Sequence, residues 1–466
     1  MSAGIFCNQG NFFSVPAEVL PRRYRGIGAT ITVSAGGFGA LLSLMFTGAT
    51  ITNNTGGLSW RSGYILGACI HVMAAALLLF FYRPLESPKE PGVSAWSTLR
   101  KKIDWLGAFI LAAAIGLFMT GLTMGGESYP WDDAHVIGTL CAGAGMLVVL
   151  VIHQVFFNKH GILDHDLWTR NFGVAAFGCF VEGVVFLAIL LFFPLETSVL
   201  WETRVYYQNA RLLAFFATSA VVAPFVGYYT RHTRDLKNPL IAGWTIVLIG
   251  TIILATIGSS AGKTSIGALF LCGVGFATPL ALLFAIAQLA TPPHLLGLTT
   301  GQLISARAIG QAVGASVLVA VFKAKIASIL PVEVSAAAFK AGLPESSLPA
   351  LVSGIATSNK TLIMSAPGVT LPIIEAASAA ATDSYVRSFH YGWDTALPFV
   401  AIALLIIFAL DGPKIKAQMT WLIERPVSSS FYGLVECITN SYSRLPRFIM
   451  FITTRSMRMK RGGDRW

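Results

Sequence analysis

Residues 171–193 read NFGVAAFGCFVEGVVFLAILLFF, an apolar stretch with one acidic residue, Glu182, near its middle. About 20 mostly apolar residues in helical form cross the hydrocarbon core of a bilayer, so this stretch is long enough to span a membrane. A helix also satisfies every backbone polar group within one segment, as lipid requires. The stretch therefore predicts an all-α integral membrane protein.

Nine further stretches have the same length and character, which gives about ten transmembrane helices. We name the predicted spans A to J in chain order: A, 27–51; B, 62–82; C, 105–125; D, 136–157; E, 173–195; F, 211–229; G, 239–258; H, 265–289; I, 302–322; J, 394–411. Of the 466 residues, 55% are hydrophobic and 12% are charged, roughly half the usual charged share. This composition excludes a soluble enzyme, a disulfide-rich secreted scaffold and a disordered regulator.

The distribution of Lys and Arg predicts the orientation. The net charge of +11 lies mostly in the segments between spans, which indicates an anionic membrane surface and not nucleic acid as the partner. Basic residues are concentrated before span A, after span J and in alternate loops between them, and the intervening loops are poor in them. The positive-inside rule then places both chain ends in the cytoplasm. Asn53 and Asn359 begin N-x-T sequons in loops predicted to face outward, so both are glycosylation candidates.

Two ionisable residues within spans are the main candidates for function, because charges inside a membrane are costly. Glu182 in span E could exchange a proton during transport or contact a substrate; a structural carboxyl bonded to a neighbouring helix is the equal alternative. Arg307 in span I is always charged and needs a partner or a wet cavity. Glu182 is a candidate partner, and snorkelling from the inner end of span I is the alternative.

Small and polar residues in spans H and I predict close helix packing or a cavity wall. Gly310 and Gly314 form a GxxxG pattern, for which packing is the preferred interpretation, and Gln311 lies between them. Pro279 interrupts span H, and a broken helix can line a cavity, although proline kinks also occur in plain packing.

No arrangement for catalysis or metal binding is evident in the sequence. The single histidines of spans B and D, His71 and His153, are interpreted as hydrogen-bonded packing residues. HExxH and Walker A motifs are absent, and the six cysteines are scattered. We therefore expect no enzyme, no metal site and no cofactor.

Four segments in order resemble one family of transporters. They are PAEVLPRRYR (16–25), KKIDWLGAFILAAAIGLFMTGLTMGGESYPWDDAHVIG (101–138), DHDLWTRNFGVAAFGCFVEGVVF (164–186) and SARAIGQAVGASV (305–317). Together they resemble the fourteen-span drug:proton antiporter group of the major facilitator superfamily, in its fungal branch of trichothecene efflux pumps and siderophore transporters. The resemblance covers about residues 14–412.

The resemblance implies a domain layout for the major facilitator fold. Residues 1–26 are a remnant of a preceding span and a basic cytosolic loop, 27–82 are two spans of an incomplete N-terminal half, and 83–157 are a cytosolic loop and two linker spans. Residues 158–412 are the C-terminal six-span half with a long outer loop at about 323–393, and 413–466 are a basic cytosolic tail. The ten spans resemble the last ten of fourteen. We therefore expect an N-terminally truncated chain that does not transport when reconstituted alone.

The resemblance also implies a function, namely proton-coupled efflux of a drug, toxin or secondary metabolite across the plasma membrane. The expected partners are a small amphipathic substrate, protons and the bilayer, and the oligomeric state stays open. Two alternatives remain: uptake of siderophore iron, and a truncated membrane protein that does not transport. Three aromatic residues of span E could line an apolar pocket, although packing or lipid-facing roles are more typical: Phe177, Phe180 and Phe186.

Overall fold

The computed structural model describes residues 12–16, 20, 24–53, 60–81, 104–126, 129–158, 167–292, 295–357, 359–365, 367–410 and 412. In this part of the chain the regular structure is helical, apart from one isolated bridge between Gly125 and Tyr129. Ten of the helices are long and apolar enough to cross a membrane, which confirms the predicted all-α membrane fold. The predicted tail, 413–466, and most of the predicted segment 1–26 lie outside the described residues.

We number the ten membrane-length helices in chain order. They are α1 (Arg25–Asn53), α2 (Arg61–Phe81), α3 (Trp105–Met124), α4 (Ala134–Ile152), α5 (Arg170–Leu200), α6 (Val205–Thr233), α7 (Lys237–Thr256), α8 (Gly262–Ala290), α9 (Leu296–Lys340) and α10 (Leu371–Ile407). A π-helical turn, His153–Phe157, continues α4, and another, Ala188–Phe192, lies within α5.

The helices form two groups joined through α9. Helices α5 to α10 pack on one another, with α8 as the most buried, and α1 packs along α6 and α8. Helices α3 and α4 pair with each other, and α3 contacts α9. The most apolar 18-residue stretch of α2 contains no buried residue, as expected for a helix that faces lipid. The packing of α5 to α10 with α1 positions the site described below.

Residues 323–393 were predicted to form a long loop, but most of this segment is helical in the structure. Helix α9 has 45 residues and continues to Lys340, and α10 already begins at Leu371. At 1.5 Å per residue, α9 is about 68 Å long, roughly twice the hydrocarbon thickness of a bilayer. The sequence of this region is rich in alanine, so it forms helix readily although it is not apolar enough to look like a span.

The extended ends of α9 and α10 share a hydrophobic core with two short helices, Leu348–Ala356 and Lys360–Ser365. The core residues are Leu330, Val334, Ala338, Leu343, Leu351, Ile373, Ala377 and Ala381. Glu333 on α9 also binds α10, because its carboxylate accepts hydrogen bonds from Ser384 at 3.1 Å and from Arg387 at 2.5 Å. These contacts hold the extended ends of α9 and α10 and the two short helices together.

Asp104 fixes the pairing of α3 with α4. Its Oδ1 accepts a hydrogen bond from the Gly107 amide at 2.8 Å and so caps α3, while its Oδ2 accepts one from Gln154 Nε2 at 2.5 Å. His153 Nδ1 lies 3.9 Å from the same Oδ2. Partial burial acts to raise the pKa of the Asp104 carboxyl, but these hydrogen bonds and His153 outweigh it and hold the pKa below its usual range.

Candidate functional site

The site is built around a buried ion pair between α5 and α9. Arg307 donates from Nε to Glu182 Oε2 at 2.5 Å and from Nη2 to Oε1 at 3.2 Å, so the pair is bidentate. The Glu182 side chain is 1% exposed and the Arg307 side chain 12% exposed. The fork of a guanidinium matches a carboxylate in this geometry, which makes the contact strong and directional. The structure thus brings the two intramembrane charges of the sequence together.

Glycines allow α5 and α9 to come close enough for this pair. A Cβ on Gly310 would collide with the carbonyl oxygen of Phe180, and a Cβ on Gly183 would collide with the carbonyl oxygen of Arg307. A Cβ on Gly314 would lie 2.9 Å from Val184 Cα. The two backbones therefore touch at these positions, as small residues permit in membrane helices. Gly183 is the partner on α5 that the sequence pattern on α9 did not reveal.

Arg307 also faces a cavity of about 460 Å³. Helices α1, α5, α6, α8 and α9 and the short helical segment 12–16 line it. Its lining residues are Phe12, Phe13, Val33, Gly36, Gly37, Ala40, Ser43, Leu44, Phe186, Leu190, Phe215, Phe216, Ser219, Phe276, Leu280, Phe284, Ile304 and Arg307. Seven of these are phenylalanines, and Arg307 is the one charged residue among them. The volume falls in the range of roughly 300–1,000 Å³ that is typical of small-molecule sites.

Phenylalanine rings in mutual contact form the wall beside Arg307. The Arg307 guanidinium lies 4.8 Å from the centroid of the Phe186 ring, and Phe186 stacks on Phe276 at 5.7 Å. Across the cavity, Phe13 stacks on Phe284 with ring centroids 4.0 Å apart. A cation against an aromatic face is stabilised by the ring quadrupole, more so where water is excluded. Phe186 therefore helps the ion pair to hold the guanidinium at the cavity wall.

Two other candidates from the sequence, Pro279 and Gln311, lie near the cavity but do not line it. The predicted interruption at Pro279 is not present, because α8 continues through this residue without a break. Pro279 is buried there, next to the cavity residue Leu280. The Gln311 side chain is half-buried on α9 and does not line the cavity, but its backbone nitrogen lies against Gly183.

Phe177 and Phe180 also lie outside the cavity lining, so of the three aromatic residues of span E only Phe186 reaches it. The rings of Phe177 and Phe180 contact each other, with centroids 6.1 Å apart.

The two sequons lie at different kinds of position. Asn53 is the exposed last residue of α1, and the rest of its sequon lies outside the described residues. Asn359 is exposed in the segment between α9 and α10, and its Oδ1 accepts hydrogen bonds from the Thr361 amide at 3.1 Å and from the Thr361 hydroxyl at 2.5 Å.

Sequence reasoning missed a second buried acid, Glu196. Glu196 lies one residue beyond the predicted end of span E at 195, although the helix continues through Pro194 to Leu200. The Glu196 side chain accepts a hydrogen bond from the Trp393 indole nitrogen at 2.8 Å, and Trp393 lies one residue before predicted span J. Both residues lie just beyond the predicted ends of their spans. The apolar sequence that continues past Pro194 was the signal that the helix extends to Glu196.

The fold and the cavity define a class of protein. Five of the ten membrane-length helices line an apolar space large enough for a small molecule, and the charged group at its wall can bind an oxygen atom of a ligand. This is the class of multi-pass membrane proteins to which the transporters of the major facilitator superfamily belong.

Within this class, the chain belongs to the fungal trichothecene efflux pump family (TRI12), whose family model matches residues 42–414. The trichothecene efflux pump TRI12 of Fusarium sporotrichioides is 23% identical over 346 residues, which are 71% of this chain and 57% of the relative. The MFS-type efflux transporter pyiT of Pyricularia grisea is 25% identical over 394 residues, 82% of this chain and 62% of the relative. The MFS-type transporter prx5 of Penicillium rubens is 25% identical over 390 residues, 81% of this chain and 68% of the relative.

These similarities confirm the predicted major facilitator fold and its efflux branch, and they identify a family of transporters and not of enzymes. The chain spans 57% and 62% of the lengths of the first two relatives, which is less than two thirds of each.

Proposed function

We propose that this protein works in the efflux of a small, largely apolar metabolite or toxin, coupled to proton movement across the plasma membrane. The cavity supports this proposal most directly, because seven phenylalanines line it and a single guanidinium faces it. Apolar walls bind hydrocarbon, and few but directed polar groups orient a ligand. The names of the relatives describe efflux transporters, and one names trichothecenes as its substrates.

The charge of the cavity wall favours neutral or acidic substrates over cations. Glu182 is 1% exposed and is not among the lining residues, whereas Arg307 is. A ligand in the cavity therefore meets a hydrogen-bond donor with a positive charge. We propose that Arg307 binds a carbonyl, hydroxyl or carboxylate oxygen of the substrate, and that Glu182 positions Arg307 for this contact and competes for it during transport.

Binding of a radiolabelled trichothecene to the purified full chain tests the cavity. We expect saturable binding that Phe186→Ala weakens about tenfold, a change of about 1.4 kcal/mol in binding free energy that is within reach of a lost aromatic contact. Phe177→Ala is the matched control, because Phe177 is on the same helix but outside the cavity lining. Rhodamine 6G, a lipophilic cation, is expected to bind at least tenfold more weakly than the trichothecene.

Three outcomes would count against the proposed function. Equal losses in the Phe186 and Phe177 variants would show that the cavity is not the binding site. Preference for a ferric siderophore over the trichothecene would favour the iron-uptake alternative, for which the apolar lining gives no support. The proposed function departs from the expectation, stated from the sequence, that the chain does not transport when reconstituted alone. Binding without any movement of substrate in proteoliposomes, with or without a pH gradient, would favour that expectation and the alternative of a membrane protein that does not transport.

We propose that the loops rich in Lys and Arg and both chain ends face the cytoplasm, so that the extended ends of α9 and α10 lie outside. In this orientation Asn359 is an exposed glycosylation acceptor well beyond the bilayer. Asn53 ends α1 and would be held at the bilayer surface. We also propose that α3 and α4, which pair with each other, are the inserted linker helices of a fourteen-span arrangement.

Glycosylation mapping checks the orientation. In a eukaryotic host, we expect treatment with peptide N-glycosidase to lower the mass of the protein by one glycan. Asn359→Gln should abolish this shift, and Asn53→Gln should leave it unchanged. An unchanged mass in the wild-type protein, together with protection of Lys340 and Glu345 from reagents added outside intact cells, would reverse the proposed orientation.

A further inference from the structure

Glu196 is a buried carboxyl group whose environment differs from that of Glu182. It is 1% exposed, and among the described residues its hydrogen-bond partner is the indole nitrogen of Trp393, at 2.8 Å. No basic side chain in that part of the chain forms an ion pair with it, whereas Glu182 is paired twice with Arg307. Among the described residues, helix α5 thus carries one acid with a counter-ion, Glu182, and one without, Glu196.

Most of the charged groups near this end of α5 are bound to other groups or exposed. His390 on α10 binds the carbonyl oxygen of Ile257 through Nε2 at 2.8 Å. Arg211 on α6 donates to the carbonyl oxygen of Gly262 at 2.6 Å and lies over the Trp201 ring. The remaining charged residues at this end of the helices packed on α5 are Glu202, Arg204, Lys263, Lys323, Lys325 and Asp394. Of these, Lys325 lies over the Tyr391 ring, and Arg204, Lys263 and Asp394 are exposed.

A carboxylate in such a place would be a buried charge without a counter-ion, which is strongly unfavourable. The neutral acid needs no counter-ion, and its carbonyl oxygen can accept the Trp393 hydrogen bond. The geometry therefore favours a carboxylic acid at Glu196 and a carboxylate at Glu182.

The path along α5 connects Glu196 with the cavity. Phe186 and Leu190 line the cavity, the π-helical turn Ala188–Phe192 follows, and Pro194 comes directly after it. Proline has no N–H, so the carbonyl of Leu190 cannot accept the usual helical hydrogen bond from the amide of residue 194. A π-helical turn next to such a break is a place where a membrane helix can change its local geometry. A change at the cavity can therefore alter the contact between Glu196 and Trp393.

We propose that Glu196, and not Glu182, holds the exchangeable proton of this protein, and that it loses the proton when the contact between α5 and Trp393 on α10 opens. The proposal rests on the proposed function for its role in transport, because a transporter coupled to protons needs a group that takes up and releases one. Glu182 keeps its separate role of positioning Arg307 at the cavity wall.

Infrared spectroscopy of the full chain in detergent at neutral pH tests the protonation of Glu196 directly. We expect the C=O stretching band of a buried carboxylic acid in the wild-type protein, absent in Glu196→Gln and retained in Glu182→Gln. Trp393→Phe should keep the band and move it to higher frequency, because the carbonyl loses a hydrogen bond. A wild-type protein without the band, or its loss in the Glu182 variant alone, would overturn the proposal.

A transport assay tests the role of the proton. In proteoliposomes loaded with the trichothecene, a pH gradient should accelerate efflux by the wild-type chain and by the control variant Glu202→Gln. Glu202 lies six residues after Glu196, just beyond the end of α5, and is not the acid that bonds Trp393. Glu196→Gln should lose this acceleration and transport at the same rate with and without the gradient. If Glu196→Gln keeps the full acceleration, the proposal fails. If no variant transports, the proposed function fails while the infrared result still decides which acid is protonated.

Discussion

Replacing Arg307 with alanine is expected to lower the free energy of unfolding by about 3–5 kcal/mol, the effect of removing one partner of a buried ion pair. The change leaves Glu182 at 1% exposure without the two hydrogen bonds that it accepts from the guanidinium. It also removes a cation from the face of the Phe186 ring and a donor from the cavity wall. Stability and ligand binding should therefore fall together.

A double variant separates these two effects. Glu182→Gln combined with Arg307→Gln removes both charges, so no unpaired charge is buried, and much of the lost stability should return. Trichothecene binding should stay at least tenfold weaker than in the wild-type protein, because the guanidinium is still absent. Unfolding in increasing concentrations of a denaturing detergent, followed by tryptophan fluorescence, gives the stabilities of the wild-type protein, Arg307→Ala and the double variant.

Stability and trichothecene binding respond differently if the ion pair serves only folding. If the double variant binds the trichothecene as tightly as the wild-type protein, Arg307 contributes only to folding and the proposed contact with substrate is wrong. If Arg307→Ala unfolds at the same detergent concentration as the wild-type protein, the ion pair itself is not formed in the folded protein.

The sequence predicted the ten helices because lipid imposes a simple rule on length and apolarity. It also singled out Glu182 and Arg307, since charges within apolar stretches are rare and need partners. The same hydropathy rule explains the main errors. It ended span E at 195 and began span J at 394, so it left out Glu196 and Trp393. It predicts a loop for the extended ends of α9 and α10, because it counts apolar residues along the chain and does not detect the core that these helices share with each other.

The cavity could not be predicted to the same extent. Its phenylalanines come from helices distant in sequence: Phe186 on α5, Phe215 on α6 and Phe276 on α8. Phe177 and Phe186 belong to the same apolar stretch, yet only Phe186 reaches the cavity. In a membrane, an aromatic side chain is equally compatible with lipid, with a neighbouring helix or with a cavity, so composition does not choose among them. Only the packing of the helices makes the choice.

Replacing Gly310 with alanine should have an effect nearly as large, about 3 kcal/mol of stability, as expected for strong overpacking. The added methyl group would collide with the carbonyl oxygen of Phe180 and lie close to its Cα, which are backbone atoms of α5 and cannot rotate away. The matched control is Gly301→Ala on the same helix, where a Cβ meets nothing within 4 Å. That control should keep or slightly raise the stability, because alanine favours helix over glycine by about 0.5–1 kcal/mol.

The Gly310 variant also tests whether close packing and the ion pair act as one unit. Arg307 lies three residues before Gly310, on the same side of α9, and its own carbonyl contacts Gly183. A methyl group at 310 that pushes α5 away from α9 would therefore also lengthen the contact between Arg307 and Glu182. The losses of stability in Gly310→Ala and Arg307→Ala should then not add in the double variant, which should fall short of their sum by at least about 1 kcal/mol. Additive losses would show that the glycines serve only the close packing of the two helices, and that the ion pair tolerates a wider separation between them.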